Sequence, residues 1–375
     1  MHTPPPHPNR VLGLDLVRFV AVLLVIGRHL QLPPEPPYIL EIWRQGGWVG
    51  VDLFFVLSGF LVSSLLFNEF KRTGTTNVKR FLIRRGFKIY PAFWLLIAFS
   101  IVVRLLIHYS FSIESLLGEL FFLQNYLGAI WSHTWSLAVE EHFYLGLAIL
   151  FSSMTASRSA TGTQRLRYIP VVFVIVSITC FTLRIITAFI FPEFSLKNYV
   201  YGTHLRIDSL FYGVLLSYLW HFRELEKKIA WIPSWFLYLS GWLLLAPAFI
   251  FQLETHKWIP VAGVILFFVG SGNILIAALR ITETSFTPLK LLGNLSAASY
   301  SIYLWHMPIN LWGSIILRKI TRFDSFPLYF FSYIIGSFAF GWLMNQIIEA
   351  PVLFLRDSLF PVEEKNRRSS EHTVD

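Results

Sequence analysis

Cysteine is almost absent: Cys180 is the single one in 375 residues. That excludes an intramolecular disulfide and a thiolate metal cluster. Charge is scarce as well. Asp, Glu, Lys and Arg together make up 14% of the chain, against roughly 25% in an average soluble domain. No GxGxxG, Walker A or HExxH pattern occurs, nor any metal-ligand spacing, so no metal is expected. No internal repeat is visible.

Apolar surface is what the chain has in quantity. It is 55% hydrophobic, with 36 Phe and 13 Trp, and its mean hydropathy is +0.57. These values predict an all-α, polytopic membrane protein, because an outer-membrane barrel reads as short alternating segments instead. Hydropathy places about ten spans, at 11–30, 48–67, 89–108, 135–152, 169–191, 203–220, 233–251, 258–279, 296–316 and 327–348. With the N-terminus in the cytoplasm, twenty basic residues fall in inner tails and loops and six in outer loops. The positive-inside rule then puts both termini in the cytoplasm, and the protein is expected in the plasma (inner) membrane. The net charge of +9 follows from the same rule and does not call for nucleic acid. No cleavable signal peptide is read, because the first apolar stretch is interrupted by charge and lacks a small-residue cleavage site. Residues 1–360 read as one transmembrane domain, and 361–375 as a polar, disordered cytoplasmic tail.

The organising stretch is 11–30, VLGLDLVRFVAVLLVIGRHL. A charge near the bilayer centre costs roughly 2.5–3.5 kcal/mol on insertion scales. A span carrying Asp15, Arg18, Arg28 and His29 is therefore expected to line an enclosed or water-filled cavity. Arg18 and His29 are eleven residues apart, nearly three whole turns, so they share a face about 16 Å apart along the axis. Asp15 is placed for an i, i+3 ion pair with Arg18. The alternative is a plain Asp–Arg pair with an interfacial His.

Further along, 31–47 (LPPEPPY and beyond) reads as a non-helical outer loop. Asp52 sits at the mouth of an apolar span, either facing the interior or capping the helix. Ser58-Gly59 permits close helix packing. Lys79, Arg80, Arg84, Arg85 and Lys88 cluster at the inner face. The cluster suits a nucleotide phosphate or an anionic head group; the alternative is an ordinary positive-inside anchor. Residues 109–134 read as a re-entrant or surface helix. In TWSLAVEEHFYL, Glu140 and Tyr144 share a face toward the cavity, and Glu141 is expected to hydrogen-bond near the interface. Arg184, Arg206 and Asp208 read as helix-to-helix ion pairs. Ser299, Tyr300, Tyr303 and His306 bring polar tips to the ninth span, where Pro308 kinks the helix.

Taken in order, GLDLVRFVAVLLVIGRH, GVDLFFVLSGFL, FLIRRGFKIYP, TWSLAVEEHFYL, SYSIYLWHMP and the terminal EAP resemble the acyltransferase-3 family of membrane O-acyltransferases. The resemblance covers residues 13–351. It implies a ten-helix bundle around a central pore, with an acyl group, usually acetyl from acetyl-CoA, passed to a hydroxyl of a cell-surface or lipid-linked carbohydrate. Arg18 and His29 match the family's R-x10-H pair, and Arg84 and Arg85 its basic pair. Lys88 replaces a typical Arg, keeping the charge and losing the bidentate fork. Glu140 matches S-L-x-x-E, and Ser299, Tyr303 and His306 match S-Y-x-x-Y-L-x-H. Ala350 stands where a basic residue is common. Many relatives carry an SGNH-type hydrolase domain after the tenth span, and this chain is expected to lack one. The resemblance thus implies His29 as general base or transient acyl carrier, and Glu140 orienting the imidazole or the sugar. It implies Arg18 at the thioester oxyanion, with the donor phosphates on Arg84, Arg85 and Lys88. Asp15, Asp52, Tyr144, Ser299, Tyr303 and His306 would support the site. A proton-coupled transporter or flippase is the alternative that the intramembrane Asp–Arg–His stripe also fits.

Overall fold

The computed structural model describes residues 11–108, 110–155, 165–282, 286–322 and 325–361. The expected tail lies outside them, apart from Pro361. The described residues form helices and no strand. In chain order these are α1 (Leu12–Arg28), α2 (Tyr38–Gly46), α3 (Gly50–Thr73), α4 (Val78–Leu106), α5 (Ile113–Leu120), α6 (Trp135–Thr155), α7 (Ile169–Ile190) and α8 (Thr203–Phe222). There follow α9 (Ser234–Leu245), α10 (Val264–Leu279), α11 (Thr287–Ser296), α12 (Ser299–Pro308), α13 (Ser314–Thr321), α14 (Phe326–Met344) and α15 (Ala350–Leu359).

Among the described residues, five continuous helical runs are long and apolar enough to cross a bilayer: Tyr38–Thr73, Val78–Leu106, Ile169–Ile190, Ile259–Leu279 and Phe326–Leu359. The other stretches read from hydropathy are helical too, and each carries charge or a break. α1 contains Asp15 and Arg18, α6 contains Glu140 and Glu141, and α8 contains Arg206 and Asp208. Pro247 follows α9, and Pro308 ends α12. Beyond Pro308, which has no N–H to donate, the chain passes through a π-helical turn at Ile309–Gly313. A second such turn, Asn345–Glu349, joins α14 to α15. π-turns inside helices often mark functional sites, and both of these supply residues described below.

Polarity is distributed for lipid rather than water. Arg184, Arg206, Asp52 and Asp208 are buried, while Val174, Ile175 and Ile178 on α7 are half exposed or more. In water the reverse is normal. The buried charges pair as expected from sequence for Arg184, Arg206 and Asp208. Arg206 donates to Asp52 at 2.7 Å, and Arg184 pairs with Asp208.

The Asp52 pair also fixes how α3 and α8 meet. The two helices run parallel in register: Asp52 meets Arg206, Gly59 meets Gly213, and Ser64 meets Ser217 at 2.8 Å. A Cβ on Gly59 would lie 2.0 Å from the Leu210 carbonyl oxygen, and one on Gly213 would lie 2.2 Å from that of Val56. Only glycine allows this approach, which is how small residues drive helix contact in a membrane. Asp52 is thus an ion-pair member and does not cap its helix, whose N-cap is Val49 with no side-chain bond.

Two connections matter for the site. The segment 31–47 is not wholly a loop, because Tyr38–Gly46 is helical. Its prolines stop at Pro37, and YILEIWRQG after them is free to wind, with Tyr38 and Ile39 exposed. Between α4 and α6 lies α5, capped by Ser112 on the Ser115 N–H. From α5, buried Glu119 accepts from the Ile130 and Trp131 N–H groups and from the Thr134 hydroxyl, at 2.9–3.2 Å. That carboxylate ties the strap 121–134 back to α5, and so fixes His133 beside Thr134.

Candidate functional site

The helices enclose a cavity of about 1100 Å³. Its mouth is basic, with Arg72, Arg80, Arg84, Arg85, Lys88 and Arg356 among its lining residues. Its deeper wall carries Glu140, Tyr144, Ser136, Ser299 and Tyr303. Arg18 lines the same cavity and pairs with Asp15 at 2.7 Å. A second, smaller pocket of about 60 Å³ is lined by His29, His133, Trp48, Trp135 and Tyr201, among others. Val51 and Tyr303 belong to both linings.

The basic residues are not equivalent. Arg84 donates to Asp357 at 2.8 Å and to the Phe360 carbonyl oxygen, both at the far end of α15. Lys88 pairs with Glu349, which also accepts from the Ser301 hydroxyl at 2.7 Å. Arg85 makes no hydrogen bond or ion pair among the described residues; its charge interacts with those of Glu140 and Arg18 across the cavity. The three cations expected to act alike therefore divide into two that are paired, Lys88 with Glu349 of the π-turn and Arg84 with Asp357 of α15, and one left for a ligand. Glu349, uncertain from sequence, is the Lys88 counter-ion.

Glu140 accepts from Ser58 Oγ at 3.2 Å and from the Tyr144 hydroxyl, and Ser58 and Tyr144 lie 3.0 Å apart. Glu141 accepts from the Tyr90 hydroxyl at 2.9 Å. Of the two roles expected for Glu140, orienting the imidazole or bonding the sugar, the first finds no contact: the carboxylate bonds Ser58 and Tyr144, and it lines the large cavity while His29 lines the small pocket. Arg18 is likewise separated from His29. Eleven helical residues rise about 16 Å, and Arg18 lines the large basic cavity while His29 lines the small pocket.

His29 caps the C-terminal end of α1. Its Nδ1 lies 2.9 Å from the Val25 carbonyl oxygen and 3.3 Å from His306 Nε2. A carbonyl only accepts, so Nδ1 carries the proton and Nε2 keeps the lone pair, the tautomer a general base needs. His306 Nδ1 in turn donates to the Tyr303 carbonyl oxygen at 2.6 Å. Asn310, in the π-turn after α12, donates to the His29 carbonyl oxygen and accepts from Gln31 and Tyr329. The Tyr303 hydroxyl donates to the His133 carbonyl oxygen at 2.6 Å and lies 2.6 Å from Ser136 Oγ. Sequence reasoning missed His133, Asn310 and Trp48. The available signal for His133 was its place just before the TWSL fragment.

A helical bundle that turns its charges inward, and opens a basic-mouthed chamber toward a buried histidine cluster, is an integral membrane protein built around an ionisable interior. The chain belongs to the acyltransferase-3 family, whose profile, described as an acyltransferase domain, matches residues 11–346. It is 28% identical over 330 residues to an O-acetyltransferase OatA of Staphylococcus aureus (strain NCTC 8325 / PS 47), covering 80% of this chain and 51% of that protein. It is 26% identical over 326 residues to the peptidoglycan O-acetyltransferase OatA of Listeria monocytogenes, covering 79% and 49%. A putative O-acetyltransferase of S. aureus strain COL is 29% identical over 327 residues, covering 79% and 50%. The chain thus spans about half the length of the curated relatives it matches. No solved structure matches it.

Proposed function

We propose that the protein is an O-acyltransferase of the plasma membrane, with ten crossings around a central pore, both termini cytoplasmic, and one transmembrane domain through residue 360. An acyl-CoA, acetyl-CoA in the simplest case, supplies the acyl group, and a hydroxyl of a cell-surface or lipid-linked carbohydrate receives it. The observation that carries this reading is the pair of cavities with a common wall. The large one has the basic lining that donor phosphates require, with Arg85 uncommitted and Arg18 deeper inside. The small one holds His29, and Val51 and Tyr303 line both.

The donor enters from the basic end, and its thioester reaches the wall at Tyr303. The acceptor hydroxyl gives its proton to His29 Nε2 as its oxygen attacks the thioester carbonyl carbon. The carbon–sulfur bond breaks, and the departing CoA sulfur takes up the proton from the imidazolium. Glu140, with Ser58 and Tyr144, lines the donor side and positions the incoming arm.

The test uses membranes from cells that make the full chain, incubated with acetyl-labelled acetyl-CoA. An alkali-labile labelled ester is expected, and His29→Ala lowers its rate of formation by about 10²-fold or more. Intact wild-type protein that forms no ester, or that exchanges substrate across the membrane without forming one, overturns the proposal. Mass spectrometry of glycans from a deletion strain then identifies the acceptor by the sugar that loses the acyl mass.

A further inference from the structure

The small pocket contains two buried polar atoms that the fold leaves without partners, and they are of opposite kinds. His133 is 2% exposed, and its Nε2 lies 3.2 Å from the Leu304 carbonyl oxygen. That carbonyl only accepts, so Nε2 carries the proton and Nδ1 presents a lone pair. His133 Nδ1 has no partner among the described residues. Trp48 is 8% exposed, and its indole Nε1–H, which only donates, also lacks one. Both residues line the pocket with His29 and with Arg28, whose guanidinium is paired with Glu254 at 2.8 Å. A buried polar atom left unbonded carries its full desolvation cost. The strap that delivers His133 is itself anchored through Glu119, and the Tyr303 hydroxyl bonds the His133 backbone. The ring is therefore held in place with its lone pair uncommitted.

The structure assigns this pocket, on the reading of the protein as an acyltransferase, to two neighbouring hydroxyls of a neutral polyol. One hydroxyl gives its proton to His29 Nε2, and the Trp48 N–H can donate to an oxygen of the bound pair. A second hydroxyl donates to His133 Nδ1. A carboxylate or a phosphodiester could accept from Trp48 but has no proton for either imidazole. An ammonium could serve both imidazoles but has no lone pair for Trp48. Hydroxyl groups, each both donor and acceptor, answer every atom in the set, and of the groups that do so they are the ones an acyl transfer esterifies. Trp135 and Tyr201, stacked at 5.2 Å with their rings 14° apart, add a flat apolar wall. At about 60 Å³ the pocket admits the reacting edge of a sugar and leaves the rest outside. His133 is thus an acceptor-binding residue, and it distinguishes a polyol from an alcohol with one hydroxyl.

The experiment compares full-length wild type with His133→Phe, His133→Asn and Trp48→Phe. Two readouts are taken: labelled ester formed by membranes holding their native acceptor, and the shift in melting temperature of purified protein on adding CoA. His133→Phe is expected to lower ester formation about tenfold, the upper range for one lost hydrogen bond, with the CoA shift unchanged. His133→Asn, whose amide oxygen can stand near Nδ1, recovers to within about threefold, and Trp48→Phe loses about three- to tenfold. The assignment is overturned if His133→Phe forms ester at the wild-type rate, if Asn does no better than Phe, if Trp48→Phe changes nothing, or if the CoA shift is lost with the ester. A wild-type protein that binds CoA and forms no ester overturns the acyltransferase reading itself, and this assignment with it.

Discussion

The imidazoles of His29 and His306 meet through their ring nitrogens, with Nδ1 of the first 3.3 Å from Nε2 of the second and the rings tilted by 59°. His306 is fully buried and fixed by the Tyr303 carbonyl oxygen. It therefore holds the proton-bearing side of His29 and leaves the basic nitrogen to the pocket. Replacing His29 by Ala is expected to cut transfer by about 10²–10⁴-fold, the usual worth of a general base. His306→Ala should cost about tenfold, since only the Val25 carbonyl oxygen then orients the ring. His306→Gln, which puts an amide near Nε2, should restore most of it. The initial rate of ester formation in membranes measures all three.

Arg85 and Arg84 should separate in donor kinetics. Arg85, without a protein partner among the described residues, is expected to raise the KM for acetyl-CoA about tenfold when changed to Ala, the loss of one charge-assisted bond. Arg84→Ala should raise it less, because that guanidinium already has a partner in Asp357, which it shares with Arg356. Asp357→Asn, which releases both guanidinium groups, should lower the KM. Steady-state rates against donor concentration distinguish these outcomes.

The Asp52–Arg206 pair predicts a thermodynamic asymmetry. Both side chains are buried, so Arg206→Met alone strands a carboxylate and is expected to cost about 3–5 kcal/mol. The double change Asp52→Leu with Arg206→Met removes both charges and should recover much of that loss. Melting temperatures in detergent, read as a double-mutant cycle, test the coupling.

Glu119 gives the strap a pH dependence. Burial pushes its carboxyl up to about 7, although the Trp131 N–H, the Thr134 hydroxyl and the Ile130 N–H pull the other way. The folded protein then holds this proton more tightly than the unfolded chain. Stability is greatest below the ordinary carboxyl range near 4.3 and declines as pH rises toward 7. Glu119→Gln should flatten the melting temperature across that window. An unchanged slope would remove Glu119 as its source.

Hydropathy made the helices legible because lipid imposes long apolar runs, and each of the ten stretches read that way lies on helix. Where proline punctuation was read as loop, α2 was missed, since the prolines of 31–37 stop just where YILEIWRQG begins. The basic face of α4 was visible as a face. Its division was not, because the partners of Arg84 and Lys88 lie 273 and 261 residues further on. Asp52 was ambiguous for the same reason, its partner being 154 residues away. Local sequence records which side chains share one helix; it does not record what another helix brings to meet them. His133 and Trp48 were harder still, because their significance lies in contacts the fold withholds from them.

Val51 and Tyr303 each line two chambers, so a partition as thin as a single layer of side chains stands between them. On the proposed reading, a nucleotide would never have to leave one compartment, nor a glycan enter it. Only a few atoms would make the crossing, and the barrier to every larger solute would stay shut.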